Sequence, residues 1–407
     1  MNTPYVSAVM TAFNAHSFIK NSLDSLKKQT LKNIEIIIID DCSTDGTSKI
    51  ISDLIRDDRR IKYIRNDRNY GAAYSRNIGL KQACGEYIIF LDDDDIFDIH
   101  MLEKSYAEAK CNDSDIHVFR SFEIFEDGST YPMEWSITAS SLPQKKIFSC
   151  HDVQGNVFDI FVWWCWDKLF KRNKIIENGL LFQETRTTND LFFCCANYFL
   201  ANKISTTDEV LIYHNMTREG SLSNTRHLSY TSCVEAARKL RDFMIENGFY
   251  SQFRSDFFNY IIVFFDWQLQ SIDADFFAPL KDEIRTFFYE SDVEGFEFDT
   301  EDKTLKYQLI MIGDDEEYKN FNLQEKNMLL SDLKKKLGQK EKKISQLYGQ
   351  IENLNKKIES IAQMNTSLIE ENNKLIQHLN NISGSRTWRM TYPVRYVGHK
   401  IKRIVKE

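Results

Sequence analysis

Asp92, Asp93, Asp94 and Asp95 stand as four consecutive carboxylates directly after the apolar run Tyr87-Ile88-Ile89-Phe90-Leu91. Like charges crowded away from bulk water repel strongly unless a cation sits among them, and hard divalent metals take oxygen ligands. A buried strand ending in that cluster therefore reads as a metal site. A second acidic pair, Asp40-Asp41, closes the apolar run Ile34 to Ile39 in the same manner.

The elements that must carry these tips alternate. Val6-Ser7-Ala8-Val9-Met10 reads as a short strand, and Ile19, Leu23 and Leu26 fall at helical spacing after it. The Ile34 strand leads into Ser43-Thr44-Asp45-Gly46, which is turn and capping chemistry, and then a helix with Ile50, Ile51, Leu54 and Ile55. A strand at Ile61 to Arg65, a helix led by Gly71 and running to about Ala83, and the Tyr87 strand complete the series. Such alternation predicts an α/β fold with a doubly wound parallel sheet, whose ligands gather at the carboxyl ends of the strands.

Four segments carry a resemblance: Val6 to Asn14, Ile37-Ile38-Ile39-Asp40-Asp41-Cys42-Ser43-Thr44-Asp45-Gly46-Thr47, Ser75-Arg76-Asn77-Ile78-Gly79, and Phe90 to Asp95. In this order and spacing they resemble the successive motifs of the family 2 glycosyltransferases of Rossmann-like GT-A fold, over roughly residues 4 to 225. The resemblance implies transfer of a sugar from a UDP-sugar with help from Mn2+ or Mg2+. It gives Asp41 the uracil imide, against a plain reading as a turn carboxylate capping a helix. Ala12, Phe13 and Asn14 would line the nucleobase, with Phe13 also readable as core. Arg76 would stand near the diphosphate or donor sugar, or form an ion pair. Asp92 and Asp94 would be the metal-associated pair, Asp94 the direct ligand, with Asp93 at the variable position and Asp95 toward the donor sugar.

A later segment resembles the acceptor half of the family. Trp166-Asp167-Lys168-Leu169-Phe170-Lys171-Arg172, then Gly179 to Gln183, then Thr188-Asn189-Asp190-Leu191 match it, and its Glu-Asp dipeptide puts the general base at Asp190. Asn189 replaces the usual Glu, which keeps the base and removes a neighbouring carboxylate. Leu211 to Ser223 resembles the closing motif. There His214 would complete the metal shell or simply pack, and Arg218 and Ser221 would clamp the diphosphate. Trp163, Trp164 and Trp166 would stack on acceptor sugars or fill core.

Composition agrees with this placement. Lys+Arg number 52 against 60 Asp+Glu, a net charge of -8, which argues against nucleic acid as a partner. Eight cysteines without a Cys-x-x-Cys pair, and no basic-then-apolar leader, suggest a reducing cytosol. No apolar stretch, Tyr260 to Phe265 included, approaches the ~20 residues of a membrane span.

The C-terminal third differs. Arg226 to Tyr318 is aromatic-rich and helical in pattern. From Leu330 to Ile382, apolar residues recur at spacings of three and four for about seven heptads, with Asn365 and Asn372 on the seam. That predicts a coiled coil forming a parallel homodimer, roughly 80 Å long at 1.5 Å per residue. The segment 385–407 has seven Lys+Arg against one acid, interleaved with Trp388, Tyr392 and Ile401. It reads as an interfacial tail for an anionic membrane surface, or as a solvated basic tail. A similar Ser-x-x-Trp-Arg-x-Thr-x-Pro-x-Arg tail follows coiled coils in bacterial surface-polysaccharide glycosyltransferases. The expected organisation is a catalytic domain over 1–225, a helical subdomain over 226–320, a coiled coil over 321–383 and a basic tail over 384–407.

The leading expectation is an inverting, metal-dependent hexosyl- or N-acetylhexosaminyltransferase acting on a glycan or lipid-linked acceptor. It would lie peripherally at the cytoplasmic face of a bacterial plasma membrane. The alternative is a non-catalytic nucleotide-sugar-binding scaffold dimerised through its rod. Joint retention of Asp41, Asp92, Asp94 and Asp190 favours the enzyme. A two-metal nucleotidyltransferase is disfavoured by the same resemblance and by the lack of a Gly-rich phosphate loop with Lys.

Overall fold

The computed structural model describes residues 3–218, 222–291, 293 and 295–384. Its first strands and helices alternate as β1 (Val6–Ala12), α1 (Ile19–Lys27), β2 (Ile34–Asp40), α2 (Thr47–Leu54), β3 (Ile61–Arg65), α3 (Ala72–Gln82) and β4 (Tyr87–Asp92). Then come β5 (Ile96–Phe97), α4 (Met101–Cys111), β6 (Ile116–Ile124), β7 (Thr130–Pro132), β8 (Lys168–Lys171), α5 (Arg172–Glu177), α6 (Asn189–Leu200) and β9 (Ile204–Asn215). The remainder is helical: α7 (Ser232–Glu246), α8 (Tyr250–Ser271), α9 (Ala274–Glu290), α10 (Glu301–Met311) and α11 (Asp315–Gly384).

The strands form one sheet in the order β3-β2-β1-β4-β8-β6-β9-β5, with β7 alongside β6. Its β3-β2-β1-β4 half is parallel, as the alternation predicts. The far half is not: β8 runs antiparallel to both β4 and β6, so the sheet is mixed. The reason is that β8 is reached through a long irregular excursion after β7 rather than a helical crossover, and only such a crossover enforces parallel pairing. Strands β1 and β2 are buried along their whole length, which is why their sequences are near-continuous apolar runs.

Register brings the acidic tips level. Ala12 pairs with Asp40 and Thr11 with Asp92, so both carboxylate clusters emerge at one sheet edge. Pairing of β5 with β9 sets Ile96 opposite Tyr213 and places His214 beside Asp95. Close approach of α3 to the sheet depends on Gly79, where a Cβ would lie 2.2 Å from Val9 Cγ1.

Helices α7 to α10 share a hydrophobic core with the sheet domain. Phe158 joins Phe199 of α6 and Phe257 of α8, at ring separations of 5.3 and 6.0 Å. The Tyr260 to Phe265 run lies in α8 and packs into that core, except for the exposed Val263. Among the described residues no helix is long and apolar enough to cross a membrane.

The chain divides into two compact units, at Asn320/Phe321. The opening turn of α11 belongs to the first: Tyr318 is buried and donates its hydroxyl to Asp266 Oδ1 at 2.5 Å, and Lys281 Nζ donates to Asp315 Oδ1 at 3.0 Å. In the second unit, Leu333, Leu337, Ile344, Leu347, Ile351 and their heptad successors are all about half exposed along one helix. The basic tail lies outside the described residues.

Candidate active site

The acidic tip of β4 is assembled from the backbone outward. Asp92 accepts from Arg76 Nη2 at 2.8 Å. Asp93 turns inward, accepting from the Phe13 N–H at 2.9 Å and from Arg218 Nη1 at 2.5 Å. The same Nη1 lies 3.1 Å from Asp94 Oδ2, and Arg218 Nη2 donates to the Phe13 carbonyl at 2.7 Å. Asp95 is fully buried; its Oδ1 lies 2.9 Å from His214 Nδ1 and accepts from the Asn215 N–H, while Oδ2 has no partner.

Charge is in surplus here. Burial, opposed by Arg218 and the Phe13 N–H, pushes Asp93 up to about 6. Burial and then the charges of Asp95 and Asp93 push Asp94 up to about 7. For His214, burial works toward the neutral ring, but Asp95 overcomes it and raises the imidazole to about 9.

Among the described residues no three His, Cys, Asp or Glu side chains converge into a ready-made metal cage. The donor set nonetheless fits a hard divalent ion of the kind held by one or two carboxylates and substrate phosphates. Asp94 carries charge that Arg218, shared with Asp93, only partly offsets, and Asp95 Oδ2 is an orphan acceptor. Asp92 is engaged by Arg76, and His214 has only Nε2 left once Nδ1 faces Asp95.

Asp41, at the tip of β2, is buried and accepts from Asn66 Nδ2 and from the N–H groups of Tyr70 and Gly71, at 2.7, 3.0 and 2.7 Å. A carboxylate offers about four acceptor positions, so one remains. Asp40 beneath it is lowered: burial opposes ionisation, but bonds from Ser43, Ser48 and Tyr63 outweigh it.

Helix α3 shows why Ser75-Arg76-Asn77 are polar yet buried. Ser75 Oγ accepts from Asn66, and Asn77 exchanges two bonds with the backbone of Phe182, at 2.8 and 2.9 Å. Arg76 spans from Asp92 to Asn189 Oδ1, 2.8 Å from Nη1. The N-terminal turn of α6 thereby meets the acidic tip. Asp190, next in that turn, is raised first by burial, against the pull of Arg76.

These groups enclose a cavity of about 620 Å³, lined by Ala12, Phe13, Asp41, Arg76, Asp92, Asp93, Asp94, His214 and Arg218. Other expected residues lie elsewhere. Asn14 is exposed and turns its side-chain carbonyl to the Thr44 N–H. Asp190 is not on the cavity wall, which is drawn there by Glu184, Thr185 and Arg186. Trp163, 5% exposed, donates Nε1–H to the Phe158 carbonyl inside the core. Trp166 lies between Trp164 and His214, at ring separations of 4.4 and 4.7 Å. Ser221 lies outside the described residues. Sequence reasoning passed over Tyr70, Glu184 and Arg186 of the lining, which carry no motif beyond ordinary loop polarity.

A mixed sheet whose strand tips bring Asp41 and Asp92 to Asp94 to one cavity agrees with the GT-A fold that the motifs lead one to expect. Residues 7–172 match the model for Glycosyl transferase family 2. The "Putative glycosyltransferase EpsH" of Bacillus subtilis is 27% identical over 65% of this chain and 76% of its own length. The "GalNAc(5)-diNAcBac-PP-undecaprenol beta-1,3-glucosyltransferase" of Campylobacter jejuni is 34% identical over 39% of this chain; the chain spans about half, 52%, of that protein. S. aureus TarS 1-349 in complex with UDP-GlcNAc aligns over 75% of this chain and 90% of that one, at 19% identity and a TM-score of 0.48.

Proposed function

We propose that this chain is an inverting glycosyltransferase that moves a hexosyl or N-acetylhexosaminyl group from a UDP-sugar to a hydroxyl of a growing glycan or lipid-linked acceptor. The observation that carries it is the single cavity joining Asp41, the Asp92 to Asp94 tip and Arg218, with Asp190 held nearby behind Arg76. The C. jejuni relative, named for an undecaprenol-linked acceptor, supports the acceptor class.

Asp41 offers its remaining acceptor position to the uracil N–H. Arg218, already oriented by Asp93 and the Phe13 carbonyl, supplies a forked cation for the diphosphate. Asp94, with Asp92 beside it and His214 Nε2 as a further donor, would hold Mn2+ or Mg2+. That ion would offset the negative charge that develops on the leaving UDP. Asp190 takes the proton of the acceptor hydroxyl as its oxygen bonds to the anomeric carbon. The bond from that carbon to the diphosphate oxygen breaks on the opposite face, which inverts configuration. The raised basicity of Asp190 suits this role, because a carboxylate nearer neutrality is a better general base.

The exposed seam of α11 supports pairing with a second copy as a parallel coiled coil, since a solvated stripe of Leu and Ile is unfavourable alone. With the basic tail at its end, the dimer would sit peripherally at an anionic cytoplasmic membrane surface.

Calorimetry of UDP binding with Mn2+ or with chelator, beside UDP release from a panel of UDP-sugars, tests the donor assignment. Metal-dependent UDP binding and one preferred sugar are expected. Equal affinity with chelator removes the metal from the account, and no UDP binding at all removes the donor.

A further inference from the structure

Trp135 is 56% exposed, although tryptophan is among the largest apolar side chains and an exposed one in a rigid setting calls for a reason. The setting is rigid. The Ser136 carbonyl accepts from the Val162 N–H at 3.1 Å, the Met133 N–H donates to Ser121 at 3.0 Å, and Arg120 Nη1 reaches the Glu134 carbonyl at 3.2 Å. The residue is held outward by its own backbone.

Its ring meets the half-buried Trp164 edge-on at 5.3 Å. Trp164 donates its Nε1–H inward to Asp167 Oδ2 at 2.6 Å, which fixes the ring plane and satisfies its polar edge. Behind it Trp166 and then His214 stack in turn, and His214 is a wall of the cavity. An aromatic series therefore runs from the cavity wall to solvent without a break. Trp166 has both faces occupied and serves as the support; Trp135 and Trp164 keep surface for a ligand.

Sugar rings match such a surface. Their C–H faces pack on aromatic rings, while hydroxyls at the ring edge remain hydrated or bonded to polar groups alongside. A flat protein contact would need a broad apolar area, and a membrane contact a one-sided charged rim. The polar groups alongside include Arg120, which bonds the Glu134 carbonyl and pairs with Asp208.

We propose that Trp135 and Trp164 form a distal acceptor subsite that takes a saccharide chain, holding sugars remote from the one that receives the new residue. The inference rests on the reading of this cavity as a glycosyltransferase donor site. It gives the acceptor side a chain-length requirement that the donor site does not impose.

The test uses the full-length protein with UDP and Mn2+ on a glycan array carrying bacterial oligosaccharides and their constituent monosaccharides, with UDP calorimetry in parallel. Wild type is expected to retain at least one oligosaccharide class and not the matching monosaccharides. Trp135→Ala should weaken that retention about tenfold, the loss of one good contact, and Trp135→Tyr should largely keep it. UDP affinity should be equal in all three. Retention of no oligosaccharide by wild type, or equal retention by Trp135→Ala, overturns the subsite. So does loss of UDP affinity together with glycan in Trp135→Ala, which would make the residue structural, and so does a Trp135→Ala defect seen only with anionic vesicles or a captured protein. Failure of wild type to bind UDP counts against the donor reading instead.

Discussion

Arg76 Nη1 donates to Asn189 Oδ1 at 2.8 Å, across 113 positions of sequence. With Nη2 on Asp92 at 2.8 Å, one buried guanidinium ties the acidic strand tip to the helix that carries Asp190. Lysine cannot make that fork, having a single ammonium in place of two divergent N–H groups. Arg76→Lys should therefore lower stability by about 1–3 kcal/mol, as expected when buried polar partners are left unpaired. Sugar transfer should fall further than UDP affinity. Denaturant titration and single-turnover assays of the variant check both.

Gly79→Ala tests the seat of α3 on β1. The added methyl would lie 2.2 Å from Val9 Cγ1, and valine has little rotamer freedom to withdraw. A loss of about 1–3 kcal/mol is expected from overpacking, read as a shift in denaturation midpoint. An unchanged midpoint would mean that helix and strand separate at little cost.

His117, fully buried on β6, lies 2.8 Å from Ser205 Oγ through Nδ1, and its Nε2 has no partner. Burial pushes its pKa down to about 4, against about 6.5 for an unperturbed imidazole. The unfolded chain thus takes up a proton that the folded one refuses. The stabilisation is complete above about pH 6.5 and is lost as pH falls toward 4. His117→Gln should flatten the difference between denaturation midpoints measured at pH 7 and pH 5. A parallel pH dependence in variant and wild type would place the acid sensitivity elsewhere.

How much of this was legible beforehand differs by element. The tips at Asp41 and Asp92 to Asp95 could be read because an apolar run followed by carboxylates has few other meanings in an alternating β/α series. The antiparallel β8 could not, since nothing within Lys168–Lys171 records the direction in which a strand enters a sheet. The Ser75-Arg76-Asn77 motif is visible as letters only. That Asn77 holds Phe182 while Arg76 holds Asn189 depends on contacts more than 100 residues away. Trp163 and Trp164 are neighbours in sequence and opposite in orientation, one in the core and one toward Trp135. Trp135 lies in a short turn outside every motif the sequence offers, with no pattern to mark it.

Truncation separates the two compact units. A chain ending at Asn320 keeps Asp315 and Tyr318 and should be a stable monomer, whereas the full chain should sediment as a dimer. A chain ending at Gly313 loses the buried Tyr318 and the Asp315 partner of Lys281. It should unfold about 3–5 kcal/mol more easily, the usual cost of deleting a buried aromatic. A monomeric full-length chain in analytical ultracentrifugation would contradict pairing through α11.

The central claim is that Asp190 is the base acting on the acceptor while the cavity holds the donor. The most direct measurement is transfer by Asp190→Asn beside calorimetric UDP affinity in the same preparation. Transfer should fall by about 10²–10⁴-fold, the usual worth of a general base, with UDP affinity unchanged. Full transfer by Asp190→Asn, or a loss of UDP affinity matching the loss of transfer, would contradict it.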